Sequence, residues 1–314
     1  MNELNWHAAL EAMAKNLSQW RGEQMPRAEL CRLQYAALAR YAAEAYQAGL
    51  WRDLSELGSA LTVLSRTAEA PDGATLTPTA LAATVEERLA FCRELLALLP
   101  ELWQTEEHAS EPVTGAIALL DNPFFRAAAK RFAPLTAGSA TLILPAFADV
   151  CEAVARGDAR FGILPLEDSA DGKLFHFYEQ IDRYELRISH TTDVPYPDGT
   201  KVLRFALLYR AHPPTASAEG EGMLECSLFG ETRGALVELL DAALAGGLSL
   251  RRVDALPAPY GEDGFFYRPT FRTSAGEPRL FEAYLSCFMP RAAITARYTH
   301  LPQEAPDITN ERKR

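Results

Sequence analysis

Two hydrophobic rhythms divide this chain. In the first third, apolar residues recur every three or four positions. Leu30, Leu33, Ala37, Leu38 and Tyr41 form one such series, and Trp51, Leu54, Leu57, Leu61 and Leu64 a second. Leu81, Val85, Leu89, Cys92, Leu96 and Leu99 form a third. This spacing stacks side chains on one face of a helix, so it predicts helices. Pro26 opens the helix that Gly49 ends. Thr77-Pro78 offers a capping hydroxyl followed by a proline in the first turn. The TAEAPDGATLTP stretch before it reads as a loop. All four tryptophans, Trp6, Trp20, Trp51 and Trp103, fall in this third, which supplies either a bundle core with a dimer contact or a ligand pocket between the helices.

Beyond Pro112 short apolar runs alternate with helical patterns. AIALL (116–120), TLILP (141–145) and RFGILP (160–165) read as strands. PFFRAAAKRF (123–132) and FADVCEAVARG (147–157) read as the helices between them, the second closed by Gly157. This alternation predicts a mostly parallel sheet covered by helices. GKLFHFYEQIDRY (172–184) reads as another helix, and the runs around ELRISHTT and VLRFALLYR as two more strands. HPPTASAEGEG (212–222) is a linker. After it the pattern is strand 223–229, helix 233–247, strands 248–257 and 264–272, helix 277–288 and strand 291–300. That βαββαβ order is the ferredoxin-like split βαβ arrangement. The expected fold class is therefore α/β plus α+β, in three parts. These are a helical bundle over 1–108, an α/β lobe over 109–211 and a ferredoxin-like domain over 220–301.

The 314 residues carry a net charge of −11, which argues against a nucleic-acid partner. No apolar run has the length of a membrane span, and the start MNELNWHAAL lacks a basic then apolar leader pattern. A cytoplasmic location is expected. Cys31, Cys92, Cys151, Cys226 and Cys287 are scattered and never spaced CxxC, and the histidines form no HExxH pair. No disulfide framework, metal or cofactor is expected.

Four segments carry a family resemblance. Gly234-Ala235-Leu236-Val237 opens the helix after the strand at 223–229, and Val253 to Pro259 reads VDALPAP. Leu203-Arg204-Phe205 lies on a predicted strand, and Pro165-Leu166-Glu167-Asp168-Ser169 follows the helix and glycine at 147–157. Together, over residues 113–300, these segments resemble the prephenate dehydratase family with its C-terminal ACT regulatory domain. GALV matches that domain's first amino-acid-binding motif, and VDALPAP stands where the family carries Glu-Ser-Arg-Pro. Leu203 stands where the family has the Thr of Thr-Arg-Phe. There is room for one of the family's two α/β lobes. LPLEDS matches the first, whereas DNPFFRAAAKRF matches the second. The helical third stands where chorismate mutase stands in fused enzymes, without that domain's Arg and Lys pattern.

The resemblance implies chemistry that this chain has partly lost. Dehydration of prephenate needs a proton donor at the departing oxygen, and a leucine side chain cannot donate. Thr200, an odd number of residues upstream on a strand, faces the other way. The candidate catalytic residues are therefore Arg204, Glu167 and Ser169. Arg204 either holds a substrate carboxylate or is an ordinary ion-paired residue. The Glu167–Ser169 segment, read as lying before a helix, is either a clamp on a small anion or a capping loop. The candidate ligand-binding residues are Gly234, Ala235, Leu236, Val237, Asp254 and Pro257. The helix start takes a carboxylate, Asp254 an ammonium, and Leu236 with Leu256 the side chain; otherwise Gly234 is only a tight connection. Three functions follow. One is a non-catalytic or weakly active relative that binds phenylalanine or a related metabolite as a homodimer. The second is an active prephenate dehydratase, and the third a dimeric scaffold without ligand.

Overall fold

The computed structural model describes residues 27–54, 56–58, 84–100, 115–136, 139–211, 213–214, 219–230, 233–257, 265–273 and 278–302. In chain order the helices are α1 (Arg27–Gln47), α2 (Val85–Leu98), α3 (Pro123–Phe132), α4 (Phe147–Arg156), α5 (Phe175–Arg183), α6 (Arg233–Ala245) and α7 (Pro278–Phe288). The strands of the first sheet segment are β1 (Ala116–Leu120), β2 (Ala140–Leu144), β3 (Phe161–Asp168), β4 (Gly172–Lys173), β5 (Arg187–Pro195) and β6 (Val202–Tyr209). The later strands are β7 (Glu221–Gly230), β8 (Ser249–Pro257), β9 (Phe265–Arg272) and β10 (Ala292–His300). Contacts divide the chain into two compact units, Met1–Glu107 with Leu224–Thr295, and His108–Met223 with Ala296–Arg314.

In the first unit, α1 stops where Gly49 takes a positive φ of 72°. Gly49 N–H then reaches the Tyr46 carbonyl at 2.8 Å and Leu50 N–H the Ala45 carbonyl at 3.0 Å, which satisfies groups the helix end would leave open. The Thr77-Pro78 start lies outside the described residues. The described helix α2 begins later, at a capping box. Thr84, in an extended conformation, accepts the Glu87 N–H, and the Glu87 carboxylate accepts the Thr84 N–H at 2.8 Å. The helices share one core with the βαββαβ segment. Leu38 and Ala42 of α1 and Leu89 and Cys92 of α2 pack in it with Leu224, Tyr284 and Cys287. The indole of Trp51 is buried here and donates to the Ala42 carbonyl at 2.8 Å. Arg88 of α2 bonds Glu238 of α6 at 2.6 Å, and the Tyr284 hydroxyl of α7 donates to the same oxygen at 2.8 Å. The helices of the first third and the βαββαβ segment, read separately from the sequence, thus belong to one unit. The strands follow the order β10-β7-β9-β8, that of a ferredoxin-like sheet.

In the second unit the order is β2-β1-β3-β6-β5, with the end of β10 beside β5. The expectation of a mostly parallel sheet is corrected here. β1 runs parallel to β2 and β3, but β6 is antiparallel to both β3 and β5. The short β5–β6 connection allows an antiparallel return, whereas parallel neighbours need a crossover helix. Both faces are covered. On one, Val150 and Cys151 of α4 and Phe177 and Ile181 of α5 pack on Leu164, Ala206 and Leu208. On the other, Phe125, Ala128 and Phe132 of α3 pack on Ile117, Phe205 and Leu207. Asn122 caps α3 by accepting the Phe124 N–H at 2.9 Å, and Gly157 ends α4 at φ 84°. A second correction concerns 172–184. The helix covers only Phe175–Arg183, because Gly172 turns at φ 83° and Lys173 pairs with Glu167 in a hairpin.

Candidate functional site

A row of charged side chains crosses the second unit's sheet. Register sets Glu167 of β3 opposite both Lys173 of β4 and Arg204 of β6, and Arg204 opposite Asp193 of β5. Residues directly opposite on paired strands share a face. A register shift between Pro165 and Glu167 turns Glu167 onto the face of Arg204. Arg204 Nε and Nη2 then donate to Asp193 Oδ1 at 2.7 Å and Oδ2 at 2.9 Å, and Nη1 donates to Glu167 Oε2 at 3.0 Å. The guanidinium side chain is 11% exposed. Burial opposes its charge, but the hydrogen bonds and charge of Asp193 outweigh that and raise its pKa.

The row extends both ways. His300 Nε2 lies 3.6 Å from Asp193 Oδ2, and its Nδ1 lies 2.9 Å from the buried Thr191 hydroxyl. The buried Lys173 ammonium sits 5.2 Å from the centre of the Tyr178 ring. Opposite charges thus alternate across adjacent strands. Sequence reading picked Arg204 and Glu167, which the structure brings together, and missed Asp193, Lys173 and His300. These three lie in no motif, and strand register is the only signal that joins them.

The geometry bears on two readings of the candidate residues. Arg204 is ion-paired within its own chain, with Asp193 on its Nε and Nη2 and Glu167 on its Nη1. Glu167 and Asp168 belong to β3 and are followed by the β4 hairpin, so the segment neither starts nor caps a helix. The Ser169 hydroxyl accepts the Val202 N–H at 2.9 Å, and Ser169 N–H donates to the Val202 carbonyl at 2.9 Å, which closes the strand end. Asp168 accepts the Ala170 N–H at 2.8 Å and the Tyr196 hydroxyl at 2.7 Å. These bonds, the Ala170 one foremost, hold its carboxyl below the usual range.

Leu203 lies opposite Asp168 and Val194 and packs against the α3-side core. Thr200, expected on the strand, lies in the turn before β6, where its N–H and hydroxyl donate to Asp198 at 3.0 and 2.7 Å. It is tied down as a turn residue, not aimed from a sheet face.

His190 and Thr192, two apart on β5, point to the α3 side. Among the described residues, His190 Nδ1 and Thr192 Oγ1 are buried without a hydrogen-bond partner. Burial lowers the His190 pKa below its ordinary 6.5. The folded state therefore binds that proton less readily than the unfolded chain. The stability held by neutral His190 is present above pH 6.5 and is lost as pH falls below it. Urea denaturation at pH 7.5 and 5.5 is expected to show a larger acid loss for the natural protein than for His190→Gln.

In the first unit, Gly234 and Val237 are exposed in the first turn of α6, while Ala235 and Leu236 pack against the core. Asp254 lies mid-strand in β8, its Oδ1 2.6 Å from Arg252 Nη2, with 9% of its side chain exposed. Pro257 ends β8 opposite Phe265. Among the described residues no group of three His, Cys, Asp or Glu could hold a metal, and no helix is long and apolar enough to cross a membrane.

No family model matches the chain, and no curated protein matches it in sequence. Solved structures do. Prephenate dehydratase from Streptococcus mutans aligns over 60% of this chain and 100% of its own, at 17% identity and a TM-score of 0.50. A prephenate dehydratase from Arthrobacter aurescens in complex with L-Phe aligns over 59% of this chain and 90% of its own, at 16% identity and a TM-score of 0.45. The quorum-quenching acylase GqqA aligns over 60% of this chain and 96% of its own, at 19% identity and a TM-score of 0.46. The likeness to the Streptococcus mutans enzyme gives this chain a prephenate-dehydratase-like α/β fold, and at that identity it speaks for the fold alone.

Proposed function

We propose that this protein is a non-catalytic or weakly active relative of the prephenate dehydratases. In this reading it is a cytoplasmic homodimer whose ferredoxin-like segment acts as an ACT domain and binds an aromatic amino acid or related metabolite. The observation that carries the reading is the closed state of Arg204. Three of its five N–H donors are held by Asp193 and Glu167, so turning its forked face to a substrate carboxylate would mean breaking largely buried ion pairs. Leu203 adds that the strand position beside it has no proton to give.

Support for the ligand is the open first turn of α6. Gly234 there has no side chain to bar a carboxylate from the first-turn N–H groups, which have no partner within a helix, and the helix dipole favours an anion. Asp254 lies against Arg252 on β8 and opposite Arg268 of β9, and in this reading the ligand ammonium joins that charged group. Calorimetry with phenylalanine tests this reading. The natural protein is expected to bind, and Gly234→Val to abolish binding. Asp254→Asn is expected to weaken it by about 1–3 kcal/mol. If both variants bind like the natural protein, the ligand lies elsewhere. If no aromatic amino acid binds at all, the dimeric scaffold takes its place.

A further inference from the structure

We infer that Cys92 and Cys287 form a redox site, in which a small oxidant of the peroxide class joins the two sulfurs in a disulfide that ties α2 to α7. Both helices belong to the first unit, and the site does not depend on the function proposed above.

The seam between the two helices sets these residues together. Arg88, Cys92 and Leu95 share a face of α2 with Phe91, and Tyr284, Cys287 and Phe288 share a face of α7. Contacts on either side fix the register. Phe91, next to Cys92, meets Phe288, next to Cys287, edge to face with ring centres 5.8 Å apart. The Arg88 guanidinium, one turn before Cys92, lies 5.5 Å from the centre of the same Phe288 ring. It also bonds Glu238 of α6, which accepts the hydroxyl of Tyr284, one turn before Cys287. Inside this frame the two thiols are free, 0% and 1% exposed, and in hydrogen-bonding contact with each other. Behind Cys287 the chain at Gly58 packs so closely that an added Cβ would overlap the Ser286 carbonyl, which leaves α7 no room to back away on that side.

Contact sets the product and burial sets the rate. Hydrogen peroxide oxidises one thiol to a sulfenic acid and leaves as water. The neighbouring thiol then attacks that sulfur and displaces its hydroxyl as a second water. In sum, two thiols and one hydrogen peroxide give one disulfide and two waters; the sulfurs lose two electrons, and the O–O bond is broken by them. A partner already in contact captures the sulfenic acid before more oxidant arrives, so the reaction stops at the disulfide. Burial pushes the Cys92 thiol well above its usual range, and the Cys287 thiol beside it adds to the rise. The thiolate is the reactive form, so a closed seam oxidises slowly and a seam opened by local unfolding oxidises fast. Once joined, the helices cannot part until a dithiol reductant exchanges with the disulfide. The site thus records, as a covalent bond, that α2 has lifted from α7 under oxidising conditions.

The test treats full-length protein with hydrogen peroxide, with and without urea below the unfolding midpoint. Free thiols are then alkylated in denaturant and the peptides mapped by mass spectrometry. The expected product is a Cys92–Cys287 disulfide that forms faster in the urea and that a dithiol reductant reverses, while Cys151 and Cys226 remain open to alkylation. The oxidised protein is expected to melt several degrees above the reduced one, since a cross-link that closes a long loop restricts the unfolded chain. Cys287→Ala is expected to abolish that rise and to let Cys92 proceed to sulfinic acid. If this variant does not fold, the peptide map of the natural chain decides alone. A disulfide to any other cysteine, or sulfinic acid at Cys92 of the natural chain, overturns the pairing. Thiols that all stay reduced in the urea overturn the site. An oxidised protein that melts below the reduced one overturns the lock.

Discussion

Arg204→Leu is expected to cost about 3–5 kcal/mol of folding stability, the range for stranding buried charges by removing their partner. The arginine side chain is 11% exposed and bridges Asp193, at 15%, and Glu167, at 23%. Leucine fills much of the volume but takes away the charge that both carboxylates pair with. Arg204→Lys is expected to lose less, because one ammonium keeps the charge but cannot make the forked contact with Asp193. Urea midpoints for the three proteins at pH 7 check both statements. A Leu variant as stable as the natural protein would mean that the charged row contributes nothing to the fold.

That row shows where sequence reading stops. Local signals were legible because their physics is local. Gly49 and Gly157 were read as helix ends, and both take the positive φ that glycine adopts without a clash. Pro123 was read as a first helical residue, and it follows a capping asparagine. The order of the βαββαβ segment followed from the switch between two hydrophobic periods, and the strand order agrees with it.

The misses were non-local. Glu167 and Asp168 discourage a strand by composition, yet β3 continues through them because β4 and β6 supply partners on either side. Arg204 was legible as a lone cation. Its partners lie 11 and 37 positions away, and His300 meets Thr191 across 109 positions. No spacing in one sequence announces such pairs. The packing that makes the fold survives at 17% identity to a solved prephenate dehydratase. Arg204 in this chain is ion-paired with Asp193 and Glu167.

The most direct test of the central claim, that this protein dehydrates prephenate negligibly, is a steady-state assay of prephenate conversion to phenylpyruvate. A positioned proton donor is typically worth about 10² to 10⁴ in rate, and Leu203 supplies none. Restoring the hydroxyl alone leaves Arg204 engaged by Asp193, so Leu203→Thr is expected to remain as inactive as the natural protein. The account predicts a rate for both that does not rise above the spontaneous reaction as protein is added. Saturable turnover by the natural protein, proportional to its concentration, would contradict it and make the chain a working dehydratase.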